Sequence, residues 1–169
     1  MKVLFAVWEL DPFIKVGGLG DVAASLPRAL SQIGVDIRVV IPFYKDLKLY
    51  GCRKKFLKEF SVPYATKLEK VKIYEVTHPT SLIPVYLLQN NRYLETPDFP
   101  DTFAFFDKAI VAAAKDNHFF WKPEIIHCHD VHTGLIPLLI KEEKIPIKTI
   151  LTIHNLTYQG KTSLEILKK

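Results

Sequence analysis

The sequence is poor in cysteine: only Cys52 and Cys128 occur in 169 residues, and they do not form a C-x-x-C pair. A disulfide framework and a thiolate zinc site are therefore disfavoured, and we expect two buried thiols. Long apolar runs are also missing. None approaches the roughly 18 residues of a membrane-spanning helix, and the longest, such as 3–8, are short for a secretory signal. We therefore expect a cytoplasmic protein with no membrane partner.

The chain also lacks a strong excess of either charge. It has 23 basic and 18 acidic residues, a net charge of +5, and its basic residues cluster only at 53–55. That cluster is too short for a nucleic-acid-binding tail, so we expect no nucleic-acid partner and a mild preference for anionic ligands. The composition, 49% apolar and 24% charged, is typical of a folded globular domain, and the length fits one such domain.

Short apolar segments alternate with helical patterns from the first residues onward. The run at 2–8 is typical of a central strand, and a glycine-rich loop at 9–20 follows it. Apolar residues at helical spacing then continue to the stop signal at Gly34, with a second strand at 35–41. This β-α-β unit predicts a parallel sheet with a right-handed crossover, and Pro27 predicts a bend in the helix.

The rest of the chain continues the alternation without an internal repeat or a linker. A β-rich insertion or sheet edge is predicted at 53–89 and a loop at 90–100, and Asp101 is expected to cap the next helix. The predicted strands are 71–76, 85–88, 124–128 and 148–154, and the predicted helices are 101–117 and 133–143. The sequence therefore predicts an α/β fold: a single Rossmann-like, doubly wound domain with a mostly parallel sheet.

The segment at 15–22, K-V-G-G-L-G-D-V, lies between the first strand and the helix. Its three glycines let the backbone approach a ligand, the start of the helix presents unpaired amides, and Lys15 adds a cation. Together they suit a phosphate group. The alternative interpretation is a tight turn with a solvated lysine.

Two other phosphate-binding patterns fit this segment less well. Residues 18–23 match the dinucleotide pattern G-x-G-x-x-A, yet nine residues separate Trp8 from Gly18, and Ile41-Pro42 stands where the ribose-binding acid should be. Only the binding of NAD at micromolar concentrations would support an oxidoreductase. A P-loop is disfavoured because Lys15 precedes the glycines.

The segment at 127–132, H-C-H-D-V-H, contains five potential metal ligands. A metal site is disfavoured because only His127 and His129 share one face of the predicted strand. The preferred interpretation uses the tendency of parallel sheets to bind ligands at the carboxyl ends of their strands. Polar residues of types that bind sugars then face the same crevice as the glycine loop: His129, Asp130 and His132 after one strand, and His154 and Asn155 after the next. For His127, a role inside the fold is an equal alternative.

Three segments in the same order resemble bacterial glycogen synthases and plant starch synthases. They are K-x-G-G-L-G-D-V at 15–22, H-D-x-H-x-G-L at 129–135 and T-x-H-N-x-x-Y-Q-G at 152–160. Val131 stands where the family has tryptophan, and 91–94 is loosely similar to its N-x-x-Y-L segment. The resemblance spans the whole chain.

The resemblance implies a retaining glycosyltransferase in which two Rossmann-like lobes face each other across a cleft. Residues 1–169 would form the N-terminal, acceptor-side lobe, without the C-terminal lobe that supplies most of the nucleotide-sugar site, so the chain alone is expected to be inactive. The implied reaction transfers glucose from ADP-glucose or UDP-glucose to the non-reducing end of an α-1,4-glucan, with no metal or other cofactor. The alternative is a stand-alone glucan-binding or folding module without catalysis.

The resemblance also implies roles for individual residues. As catalytic residues, Asp130 and His154 would hydrogen-bond glucose near the reacting carbon, neither of them as a covalent nucleophile. The donor phosphates would lie against Lys15, Gly17, Gly18, Leu19 and Gly20. The acceptor or sugar would be bound by Asp21, Tyr93, His129 and Asn155, with Tyr93 stacking on a sugar ring.

Overall fold

The structure, a computed structural model, describes residues 1–97 and 100–161. The loop predicted at 90–100 and the domain predicted at 1–169 therefore extend in part beyond the described residues. In chain order the elements are β1 (Lys2–Ala6), α1 (Gly18–Gln32), β2 (Asp36–Pro42), β3 (Lys55–Tyr64), β4 (Lys67–Thr77), β5 (Pro84–Gln89), α2 (Asp101–Lys115), β6 (Ile125–His129), a 3-10 helix (Val131–Thr133), α3 (Ile136–Glu142) and β7 (Lys148–Thr152).

The seven strands form one sheet in the order β3-β4-β5-β2-β1-β6-β7. The strands from β5 to β7 are parallel, whereas β3, β4 and β5 pair antiparallel at one edge. From β1 the chain builds first toward β2 and β5 and later toward β6 and β7. The strand order therefore reverses between β1 and β6, which is where sheets of this kind bind ligands at their carboxyl ends. The predicted doubly wound, mostly parallel fold is confirmed.

The central strands of the sheet carry apolar side chains on both faces, and helices cover both faces because these side chains must be buried. Residues 4–7, which are the last three residues of β1 and the residue after it, have no solvent exposure. One core cluster joins Phe5 and Val39 to α1, and the other joins Leu4 and Ile126 to α2 and α3. None of the described helices is both long and apolar enough to cross a membrane.

Several predicted boundaries differ from the structure. Helix α1 begins at Gly18, so three residues of the predicted loop form its first turn. Pro27 lies inside the helix without ending it, and the bend predicted there stays a prediction. Pro100, not Asp101, holds the cap position of α2. The helix predicted at 133–143 is divided into the 3-10 helix and α3. Strand β3 was missed because most of its side chains are exposed, and so it lacks a continuous apolar pattern.

Strand β7 forms an open edge of the sheet in the described part of the chain. Ile150 is 49% exposed and Leu151 is 45% exposed, and Ile153 and Leu156 just beyond the strand are also exposed. Consecutive strand residues point to opposite faces, so apolar side chains are exposed on both faces of β7. Strands of parallel sheets are usually covered on both faces. This edge therefore differs from the well-covered centre of the sheet.

Candidate active site

A cleft of about 590 Å³ lies at the carboxyl ends of β1, β6 and β7, at the point where the strand order reverses. Its walls come from three places: the residues after β1, the start of α1, and the loops after β6 and β7. The lining residues are Trp8, Glu9, Val16, Gly17, Gly18, Leu19, Val22, Asp130, His132, His154, Asn155 and Tyr158. Segments far apart in the sequence thus converge on one site.

The start of α1 is organised around the carboxylate of Glu9, which is only 1% exposed. Its Oε2 accepts hydrogen bonds from the amides of Val16, at 2.5 Å, and Gly17, at 2.9 Å. The Gly17 amide, which the resemblance assigned to a phosphate, is therefore already occupied. The amides of 18–20 belong to the first helical turn, where backbone donors have no partner within the helix. Of these three residues, Gly18 and Leu19 line the cleft, so their amides remain the donors that a ligand can use, whereas Gly20 is buried and does not line it.

Lys15 is paired with Asp21 in this structure. Its Nζ lies 2.6 Å from Asp21 Oδ1, and this hydrogen bond raises the pKa of the lysine. Both side chains are well exposed, and neither lines the cleft. Two residues to which the resemblance gave separate roles, with phosphate and with acceptor, are thus partners of each other, and Lys15 must leave Asp21 to reach a phosphate.

Asp130 connects the end of β6 to the loop after β7. Its Oδ1 accepts hydrogen bonds from the amides of His154, at 2.6 Å, and Asn155, at 3.2 Å, and its own amide donates to the carbonyl of Thr152. Its backbone has φ 56° and ψ −166°, a region that residues other than glycine rarely adopt. Strain of this kind persists where surrounding contacts hold it, and it is frequent at functional sites.

His129 lies beneath the cleft and not on its rim. The side chain has no solvent exposure, its ring centroid is 3.9 Å from that of Phe5, and its Nδ1 is 2.9 Å from His154 Nε2. Burial, with a smaller contribution from His127 and His154, lowers the pKa of His129 to about 3. It is therefore neutral at physiological pH. His129, for which a sugar contact was predicted, is therefore placed outside the lining of the cleft and supports the ring of His154.

The ring of His127 has a hydrogen-bond partner within the fold. Its Nε2 lies 2.8 Å from Thr152 Oγ1 of the neighbouring strand, and burial lowers its pKa. Within residues 1–97 and 100–161, no group of three or more His, Cys, Asp or Glu side chains is placed to hold a metal ion. The crowding of potential ligands in 127–132 therefore reflects strand alternation and not a common centre.

Tyr93 is placed away from the cleft. Its ring packs against those of Tyr64, at a centroid distance of 4.9 Å, and Phe105, at 4.8 Å. These neighbours belong to the core under β3 and α2. Tyr93, for which the resemblance implied stacking on a sugar, is thus partly buried against the core and does not line the cleft.

Three aromatic rings form one wall of the cleft, and of these only His132 was expected at the crevice from the sequence. His132 stacks on Trp8 at a centroid distance of 4.8 Å, and Tyr158 stacks on His132 at 5.5 Å. Burial lowers the pKa of His132 to about 4, so it is neutral at physiological pH. Trp8 could have been found from its position immediately beyond the first strand. For Tyr158, the stacking partner is visible only in three dimensions.

Comparison with known proteins decides the family. Residues 2–169 match the family described as the starch synthase catalytic domain. The chain belongs to this family. It is 42% identical to a glycogen synthase of Desulfitobacterium hafniense, over 95% of the chain and 36% of that protein. A glycogen synthase of Clostridium perfringens is 40% identical over 99% of the chain and 36% of its own length.

A solved structure supports the same family assignment. The catalytic domain of starch synthase IV from Arabidopsis thaliana, bound to ADP and acarbose, matches with a TM-score of 0.85 at 28% identity, covering 98% of this chain and 36% of that one. The chain thus spans about a third of the length of the relatives it matches, and the predicted family and fold are confirmed.

The three segments that resemble this starch synthase family all reach the cleft or its immediate support. The glycine segment contributes the start of α1, the H-D-x-H segment contributes Asp130 and His132, and the H-N segment contributes His154 and Asn155. Val131, which replaces the tryptophan of the family, lines a neighbouring cavity of about 310 Å³ together with Leu151 and Leu156.

Proposed function

We propose that this chain forms one lobe of a glucan synthase, which transfers glucose from a nucleotide-linked donor to the non-reducing end of an α-1,4-glucan with retention. The convergence of the three family segments on one cleft, at the carboxyl ends of β1, β6 and β7, carries the proposal. ADP-glucose is the preferred donor because the Arabidopsis starch synthase IV match is bound to ADP. The remaining length of the relatives is expected to supply a second lobe, which completes the donor site.

The start of α1 is the part of the cleft suited to the donor diphosphate. The amides of Gly18 and Leu19 and the positive end of the helix dipole lie there, and Lys15 reaches the phosphates when it leaves Asp21. The bond between glucose and the diphosphate breaks during transfer, so negative charge grows on the leaving phosphate. Donors that are already oriented toward that charge lower the barrier more than they strengthen substrate binding.

Asp130 and His154 are suited to the glucose. The exposed ring of His154 lines the cleft while its Nε2 is held by His129, and Asp130 holds the backbone amide of the same residue. The aromatic wall of Trp8, His132 and Tyr158 offers apolar ring faces beside these polar groups. This combination of ring faces and hydrogen-bonding groups suits a sugar.

The proposal is tested by comparing the chain with a chimaera in which it replaces the matching part of the Desulfitobacterium hafniense glycogen synthase. Transfer of radiolabelled glucose from ADP-glucose into glycogen is measured for both proteins. The chimaera is expected to be active and the chain alone inactive, because most of the donor site is expected to come from the second lobe. A folded chimaera without activity would contradict the proposed reaction, and transfer by the chain alone would contradict the division of the site.

A glucan-binding module without catalysis is the second candidate, and the aromatic wall of the cleft favours it. Calorimetry of the chain with maltooligosaccharides and with ADP separates the two proposals. Binding of maltooligosaccharides, together with a chimaera that neither binds ADP nor transfers glucose, would support the module.

Replacement of Lys15 by alanine in the chimaera is expected to lower kcat and to raise KM for ADP-glucose. One charge-assisted contact contributes about 1.5–3 kcal/mol, so the combined loss in kcat/KM is about one to two orders of magnitude. Lys15→Arg keeps the charge but changes its geometry and should recover part of the loss. Lys115→Ala is the matched control, because Lys115 is also an exposed lysine paired with a carboxylate, that of Glu143. Parent-like kinetics for Lys15→Ala would exclude the phosphate contact.

A further inference from the structure

A buried carboxylate lies in the cleft where the proposed function requires an anion to bind. Glu9 is 1% exposed, and within the described residues its carboxylate has no lysine, arginine or histidine partner. The nearby ammonium of Lys15 lies on Asp21 instead. A buried charge is costly unless hydrogen bonds compensate it. Here the amides of Val16 and Gly17 provide that compensation.

These two hydrogen bonds determine the path of the backbone into α1. Gly17 holds the cap position of the helix and has no side chain with which to bind the first amides. Glu9 does not bind those helical amides either: its Oε2 accepts the amides of Val16 and Gly17, the two residues just before the helix. The backbone closes tightly around the carboxylate: a Cβ added at Gly20 would lie 3.4 Å from the same oxygen and 3.2 Å from Cγ of Lys15. Glu9 therefore orients the first turn and leaves the amides of Gly18 and Leu19 for a ligand.

The negative charge of Glu9, in contrast to its hydrogen bonds, opposes the binding of a diphosphate. Glu9 and Asp130 both line the cleft, whereas Lys15 and Asp21 form a pair of zero net charge and His132 is neutral at physiological pH. An incoming diphosphate therefore meets a wall whose fixed side-chain charges are negative. Repulsion between like charges separated by a few ångströms is substantial at the low effective dielectric of a partly buried site.

We propose that Glu9 is a positioning residue that holds the start of α1 in the conformation that binds a diphosphate, while its own negative charge limits how tightly the diphosphate is held. The hydrogen bonds and the charge can be separated experimentally, because glutamine keeps an oxygen acceptor for the two amides but carries no charge. Alanine removes both. The inference about the ligand rests on the proposed function, whereas the inference about the backbone does not.

The test compares Glu9→Gln and Glu9→Ala with the parent chain by NMR. Hydrogen exchange of the Val16 and Gly17 amides reports the positioning. ADP titration, followed through the amide shifts of 18–20, reports binding. We expect Glu9→Gln to keep both amides protected and to bind ADP about fivefold more tightly. Glu9→Ala should lose the protection and bind ADP about tenfold more weakly. Glu143→Gln, an exposed carboxylate away from the cleft, is the control.

Opposite effects of the two substitutions on ADP binding would support the proposal, since a purely structural cap predicts that both substitutions weaken binding or leave it unchanged. Weaker binding by Glu9→Gln would overturn the charge effect. Equal protection of Val16 and Gly17 in all three proteins would overturn the positioning role. If saturating ADP shifts none of the amides of 18–20 in any variant of the chain, the ADP titration is repeated with the same substitutions in the chimaera, which has the second lobe. A folded chimaera that does not bind ADP overturns the phosphate assignment of the proposed function, and amide exchange alone then decides whether Glu9 positions the helix.

Discussion

Replacement of Asp130 by alanine is expected to lower kcat/KM of the chimaera for ADP-glucose by about a hundredfold or more. Asp130 is only 8% exposed, and its Oδ1 accepts the amides of both His154 and Asn155. Hydrogen bonds to a charged group contribute about 1.5–3 kcal/mol each, so the loss of two corresponds to about 3 kcal/mol or more. Because His154 is then no longer held against the cleft, the effect falls on the orientation of the sugar.

Asp130→Asn provides a graded comparison, because it keeps the oxygen acceptor and removes the charge. A loss of about tenfold is expected for this variant. Asp116→Ala serves as the control, since the Asp116 side chain is 58% exposed and lies outside the cleft. Thermal unfolding of each variant separates a local effect from loss of the fold. Parent-like kcat/KM for a folded Asp130→Ala would show that this carboxylate does not organise the site.

Replacement of Phe5 by alanine is expected to lower the free energy of unfolding by about 3–5 kcal/mol. Phe5 has no solvent exposure and lies in the central strand, between Val39 of β2 and His127 of β6. Its ring also supports His129, at a centroid distance of 3.9 Å. Because domains are stable by only about 5–15 kcal/mol, this single cavity removes a large part of the total. The site above the cavity would lose its support at the same time.

Urea unfolding of the chain measures this effect directly. Phe5→Leu retains most of the buried volume and should cost less than about 1.5 kcal/mol. Phe56→Ala is the matched control because Phe56 is 54% exposed and leaves no comparable cavity. An unchanged urea midpoint for Phe5→Ala would show that β1 is not packed as described.

The sequence alone determined the parts of the fold that depend on local patterns. β1, α1 and β2 were predicted closely, because their apolar spacing and the stop at Gly34 are properties of adjacent residues. The carboxyl ends of the parallel strands follow from that order, so the clusters at 129–132 and 154–155 were assigned to one crevice. Strand β3 has no such pattern, since among residues 1–97 and 100–161 it forms an exposed edge that pairs with β4 alone.

Only the tertiary structure decided what each residue of the site contacts. His129 lies beneath the cleft because its ring packs on the ring of Phe5 in the neighbouring strand. Tyr93 lies against the core because its ring packs on that of Phe105. Glu9 accepts a hydrogen bond from the amide of Gly17, eight positions later in the sequence. Lys15 donates a hydrogen bond to Asp21 and does not point into the cleft as a free cation. Such partners are set by distances through space between separate elements. Local propensity and spacing along the chain contain little information about those distances.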